Sequence, residues 1–182
     1  MRIYANMKAR IETVELRALG KTYGVRYIKA NIPAGTVNFV ASAADAVLYI
    51  QCRDPSEPPR RALGAALRVW LRAEAKRFLP DFLMKLAVEN GFDAPSGVRI
   101  AFQRSRWGSR SETGVISLSA LLLFFPPELL RHVALHELCH IRFMNHSITF
   151  QTLLSRLDQK AALNQALLRK ANDFVPDWAI EN

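Results

Sequence analysis

The sequence predicts an α+β fold, because three kinds of segment follow one another along it. Short β-rich runs fill the first fifty residues, a stretch rich in Ala, Leu and Arg follows a proline-dense break, and two further β-rich runs precede amphipathic helical patterns that continue to the C-terminal side. The 182 residues suffice for one domain, or for a core with a small appendage. Hydrophobic residues make up 50% and charged residues 23%, a balance that excludes a disordered chain.

Strands are expected over Val25–Ala30, Val37–Ala41 and Val47–Cys52, separated by turn formers such as Pro33, Gly35 and Asp45. Residues 54–59, Asp-Pro-Ser-Glu-Pro-Pro, remove backbone donors at three of six positions and read as a linker. They divide the chain into a β-rich N-terminal subdomain (1–54) and a main domain (55–182). From Arg60 to Phe78, apolar residues at Leu63, Leu67, Trp70, Leu71 and Phe78 recur at helical spacing. Pro80 is expected to break or kink this helix, with another over Asp81–Asn90 stopping at Gly91. Val98–Gln103 and Val115–Ser119 read as strands around a turn at residues 111–114. Pro126, Pro127 and Glu128 suit a helix start, and that helix is expected to reach about Arg142. Ser147 then caps a further helix with Phe150, Leu153, Leu154 and Leu157 on its buried side.

With 25 Lys and Arg against 16 Asp and Glu, the formal charge of +9 favours polyanionic partners, nucleic acid among them. Arg61, Arg68, Arg72 and Lys76 form a basic stripe on the first long helix, which reads either as a solvated face or as a phosphate-binding row. The longest apolar run, Ala120–Pro127, is far short of the ~20 residues that span a bilayer, and the N-terminus has no apolar leader. Cys52 and Cys139 are too few to staple a fold. A cytoplasmic protein without membrane association is expected.

The chemistry concentrates in residues 132–146, HVALHELCHIRFMNH. Residues four apart on a helix differ by ~40° in azimuth, so His136 and His140 can direct ring nitrogens at one ion, while Glu137 is placed to take a proton from an attacking water. A catalytic zinc site takes three protein ligands and keeps one position open, and His146 is the third candidate. On a straight helix it would rise ~9 Å beyond His140 and turn away, so the helix must end between them. Asn145, which tolerates the left-handed region, is expected to help make that turn. His132 extends the stripe, but eight residues rise ~12 Å, too far for one ion to bind 132, 136 and 140 together. His132 is therefore expected to support the site from behind or to serve the core, and Cys139, off the metal face, to be packing.

These residues resemble the YgjP-like metallopeptidase domain, itself related to SprT-like and other zincin peptidases. The likeness is carried jointly by the histidine segment, Arg106-Trp107-Gly108-Ser109, Ile116-Ser117-Leu118-Ser119, Pro126-Pro127-Glu128 and Asn145-His146-Ser147. It is strongest over Val98–Leu157, looser from Arg60 onward and faint before Pro55. It implies a zincin-like core, with a small antiparallel sheet packed on the HExxH helix, one Zn2+ per chain held by His136, His140 and His146, and Glu137 as general base. It also implies that Trp107 and Gly108 lie near the cleft. Trp107 reads as a core anchor and Gly108 as a turn residue with positive φ. By analogy with edge strands that bind extended peptides, Ile116–Ser119 is the expected contact for the substrate backbone. The chain departs from the pattern at Arg110, where cysteine is frequent, at His132, where an aromatic is common, and at Gln151, where tryptophan is frequent.

The expected function is thus zinc-dependent hydrolysis of peptide bonds. A competing expectation is a basic nucleic-acid-binding protein with a structural zinc, against which Glu137 argues, since a structural site has no need of a base. A third combines the two as a peptidase recruited to DNA-bound proteins.

Overall fold

Alternating apolar residues draw the N-terminal segment into a sheet with one buried face. The computed structural model describes residues 10–103 and 106–180, so the first nine residues of the expected N-terminal unit lie outside it. Strands β1 (Thr13–Leu16), β2 (Lys21–Lys29), β3 (Asn38–Ser42) and β4 (Val47–Cys52) are ordered β1-β2-β4-β3. β2 and β4 run parallel, and the two outer pairs antiparallel. Leu48, Ile50 and Cys52 alternate inward from β4, joined by Val14, Leu16, Tyr23 and Val25. β3 and β4 match the expected runs closely, whereas β1 and the first half of β2 carry too many charges to stand out.

Residues 54–59 form a loop leading into one helix, α1 (Arg60–Glu89), rather than the two expected on either side of Pro80. An interior proline costs a helix about 3 kcal/mol. Beyond it Leu83, Leu86 and Ala87 are buried, and each leucine recovers about 1.5–3 kcal/mol, so continuing the helix prevails. Gly91, at φ 66°, ends it as expected. Trp70 meets Tyr23 edge to face at 5.0 Å, and the Tyr23 hydroxyl donates to Glu74 at 3.4 Å. Buried residues of the N-terminal sheet and of all that follows belong to one continuous apolar cluster. The basic stripe is not a uniform solvated row: Arg68 donates to the Trp178 carbonyl at 2.8 Å, and the Arg72 guanidinium lies 5.2 Å from the Phe102 ring centre.

The second sheet corrects the expected antiparallel pairing. β5 (Gly97–Ala101), β6 (Gly108–Arg110) and β7 (Val115–Ser119) are ordered β5-β7-β6, with β5 parallel to β7 and only β6 antiparallel to it. The tight turn at Ser111–Gly114, with Gly114 at φ 82°, can join only strands adjacent to it in sequence, so it connects β6 to β7. β6 has just three residues, Gly-Ser-Arg, and offers no β-propensity signal.

After β7 a buried 3₁₀ turn (Ala120–Phe124) leads into α2 (Pro127–Cys139), which lies against β6, and then α3 (Ile148–Leu157) and α4 (Ala161–Leu168). Pro126 and Pro127 open α2, and the Ser147 hydroxyl caps α3 by accepting from the Phe150 amide at 3.4 Å. α2 ends three residues earlier than expected. Its last turn tightens through Ile141 N–H to Leu138 O (2.9 Å) and Arg142 N–H to Cys139 O (3.1 Å). No helix of the described residues is long and apolar enough to cross a membrane.

Candidate metal centre

Helical spacing brings His136 and His140 together at the end of α2, and the turn that follows folds His146 back onto them. One ligand atom from each ring lies within 4.8 Å of the others, and the Nε2 atoms of His136 and His146 are 3.0 Å apart. Nitrogens bound tetrahedrally at ~2.05 Å from zinc stand roughly 3.3 Å from one another, so the cluster is close to the size one ion needs. His140 Nδ1 lies 3.0 Å from the Phe143 carbonyl, an acceptor only, so Nδ1 carries the proton and Nε2 keeps the lone pair for a metal. The donor set fits zinc: three imidazoles, two of them half-buried and His146 exposed.

Phe150, fully buried, underlies all three rings at centroid distances of 5.0, 4.7 and 4.8 Å. It comes from the first turn of α3, so the Ser147 cap that starts this helix also sets the floor of the cluster. Burial pushes His136 down to about 4, helped by the neighbouring His140 and His146, which keeps the imidazole neutral and ready to bind. His140 is lowered by burial too, with its Phe143 hydrogen bond opposing and the charges of His146 and Arg110 adding to the shift.

Glu137 is 5% exposed, and among the described residues it makes no ion pair or hydrogen bond. Burial alone raises its carboxyl to about 7. The residue that covers it is Gly108 on β6. A Cβ there would lie 2.7 Å from both Cγ and Oε1 of Glu137 and 2.9 Å from Cδ. Gly108 does not have positive φ, which corrects the turn-residue expectation: it is glycine because the sheet and the glutamate approach too closely for a side chain. Gly108→Ala is accordingly expected to displace the carboxylate, lowering any Glu137-dependent rate by about 10–100-fold with bound metal unchanged, as steady-state kinetics and metal analysis of the same preparation can show.

The other sequence-predicted residues separate into three groups. Trp107, partly buried, packs edge to face on Phe125 at 4.7 Å, and its carbonyl accepts from the Ser119 amide at 2.9 Å. Asn145 is exposed and is not left-handed; the turn to His146 is made instead by the tightened end of α2 and the His140–Phe143 bond. Ile116–Ser119 cannot accept an added strand, because β7 is central and both its edges are already paired. Among the described residues, the unpaired edge beside Glu137 belongs to β6. Trp107 and Ser119, Ser109 and Ser117, and Ser111 and Val115 share the bonds to β7, leaving the backbone groups of Gly108 and Arg110 directed outward.

His132 stands apart from the cluster. It is fully buried, with Nδ1 2.7 Å from Asp158 Oδ2 and Nε2 3.3 Å from Gln165 Oε1, and Asn164 also donates to Asp158 at 2.9 Å. Burial would raise Asp158, but hydrogen bonds from Asn164, His132 and the Lys160 amide hold it below the usual carboxylate range. This network ties α2 to the α3–α4 turn. Its acidic partner, 26 residues away, has no sequence spacing to betray it. Cys139 is packed in the core, its thiol pushed up to about 11 by burial and therefore unreactive. Arg142 donates to the Gly91 carbonyl at 2.6 Å and covers Phe92, which anchors the turn to the end of α1.

The family model described as YgjP-like, metallopeptidase domain, matches residues 4–171. The chain belongs to this family. Its extent includes the N-terminal sheet, where the motifs by themselves carry little. No curated protein and no solved structure gives a match. Three converging histidines able to hold a metal are compatible with a metallopeptidase domain.

Proposed function

We propose that this YgjP-like protein is a zinc-dependent peptidase in which His136, His140 and His146 hold the metal and Glu137 is the general base. The observation that carries this reading is the convergence of three imidazoles beside a buried carboxyl that, among the described residues, no cation neutralises. When bound, zinc supplies Lewis acidity, which makes water nucleophilic near neutral pH and polarises a carbonyl. Glu137 accepts the proton of the attacking water on its carboxylate and delivers it to the departing amine nitrogen. In the absence of metal, burial raises this carboxyl to about 7, which makes it a stronger proton acceptor than an exposed glutamate. Phe143 fixes the tautomer of His140, and Phe150 keeps water from the back of the three rings. The outward-facing backbone of Gly108 and Arg110 aligns an extended substrate beside Glu137 by strand addition, the role that β7 cannot fill.

Elemental analysis of the tag-free protein is the direct test. About one zinc per chain, with peptide hydrolysis lost to a chelator and restored by zinc, supports the proposal. Absence of bound metal after incubation with zinc overturns it.

A further inference from the structure

Among the described residues, Arg110 presents a cation to the site without a counter-ion. On β6 it is two residues beyond Gly108 and therefore shares its face, the one that covers Glu137; its cross-strand neighbour Ile116 and the neighbour of Gly108, Leu118, are both fully buried. The aliphatic stem thus runs along the covered side of the sheet and brings the guanidinium to its margin, where it meets Met144 in the turn between His140 and His146. Among the described residues, no carboxylate meets this guanidinium. Nη1 contacts only the Met144 sulfur at 2.9 Å, a weak acceptor on a side chain that is 58% exposed, and Nε is buried with no hydrogen-bond partner at all. Removing part of an unpaired cation from water is costly, and the natural compensation is an anion that arrives from outside.

We propose that Arg110 is a specificity-determining residue that binds a carboxylate of the peptide substrate. This rests on the peptidase reading and deepens it by naming the chemical class of substrate. The planar fork of a guanidinium matches a carboxylate in two parallel hydrogen bonds, and the neighbouring Met144 thioether yields without leaving a strong acceptor unsatisfied. An extended substrate lying along the free edge of β6 passes directly over the backbone of Arg110, so the carboxylate belongs to a residue near the scissile bond. Two sources offer that chemistry: an acidic side chain, or the free C-terminus of the peptide.

The test uses fluorescein-labelled peptides of one common apolar sequence, each carrying Glu or Gln at a single position and prepared with a C-terminal acid or amide. Binding is read by anisotropy on the full-length zinc-loaded protein bearing Glu137→Gln, so that nothing is cleaved during the measurement. The expected result is about ten-fold or tighter binding of the carboxylate form at one position, or of the acid over the amide. Adding Arg110→Met abolishes that preference, Arg110→Lys retains part of it, and zinc content stays unchanged in both. A preference for Glu identifies the side chain as the source, and a preference for the acid identifies the C-terminus. Equal binding of all forms, no binding of any form, or a preference that survives Arg110→Met each overturns the proposal. Failure of the peptidase reading looks different: carboxylate binding through Arg110 by a wild-type protein that hydrolyses none of these peptides keeps this inference and removes the enzymatic one.

Discussion

Glu137→Gln is expected to lower zinc-dependent peptide hydrolysis by about 10²–10⁴-fold, the usual contribution of a general base, while bound zinc stays at the wild-type level. The glutamine side chain has almost the same shape, so the tight approach of Gly108 and the packing around the site are preserved. What disappears is a group able to hold a proton between its removal from water and its delivery to the amine. Steady-state kinetics beside metal analysis separates this from loss of the metal. A variant that keeps the full rate would remove Glu137 from the mechanism.

The same substitution has a consequence for the zinc-free protein that runs in the opposite direction. Burial raises Glu137 from 4.5 to about 7, so its folded pKa lies above its unfolded one. A carboxyl shifted this way loses stability for the protein as pH rises from the unfolded value through the folded one, because ionisation is easier once the chain unfolds. Zinc-free Glu137→Gln is therefore expected to match the wild type near pH 4 and to exceed it by up to about 3 kcal/mol above pH 7. Denaturant melts at both ends of that range measure it. The destabilisation of the wild type is the consequence of burying a carboxyl that has no partner among the described residues.

How far the sequence discloses this arrangement depends on whether the relevant geometry is local. The His136–His140 pair follows from helical spacing, and the requirement that α2 end before His146 follows from the rise per residue. The chain meets it, but through the shortened last turn and the His140–Phe143 bond rather than through Asn145. Residue preference identified a turn-tolerant side chain, whereas backbone hydrogen bonding decided where the turn formed. Pro80 teaches a related lesson: a local breaker was outweighed by leucines whose burial depends on distant strands and helices.

Pairing between distant segments was the illegible part. The parallel contact of β5 with β7 and the insertion of a three-residue β6 between them and the site have no periodic signature, yet they determine which edge a substrate can reach. They also give Gly108 its meaning. Its identity is set by the separation of β6 from the Glu137 side chain, a distance that no spacing along the chain encodes. Arg110 gains its position from the same strand. Knowing that a three-residue G-S-R segment pairs with β7 converts an unremarkable arginine into a cation on the site face.

His140→Ala is expected to abolish both zinc binding and hydrolysis. Removing a residue that merely supports a metal ligand costs about 10–100-fold in affinity, so removing a ligand itself should cost more. The two remaining rings, His136 and His146, stay 3.0 Å apart but cannot complete a three-ligand site. Loss of the ring also leaves the Phe143 carbonyl without its donor, loosening the turn that presents His146. The fold should survive, since His140 is only partly buried and the apolar cluster does not depend on it. His132→Ala is the instructive control, because it deletes a fully buried partner of Asp158 at the opposite end of the same helical stripe. It is expected to destabilise the protein by about 2–4 kcal/mol while zinc still binds near one per chain at a temperature where the variant is folded. Competition with a chromophoric chelator, paired with thermal melts, places the two variants on separate axes: one loses metal and keeps its fold, the other keeps metal and loses stability. If His140→Ala held zinc as tightly as the wild type, the ion would have to be bound elsewhere, and the convergence of His136, His140 and His146 would require another explanation.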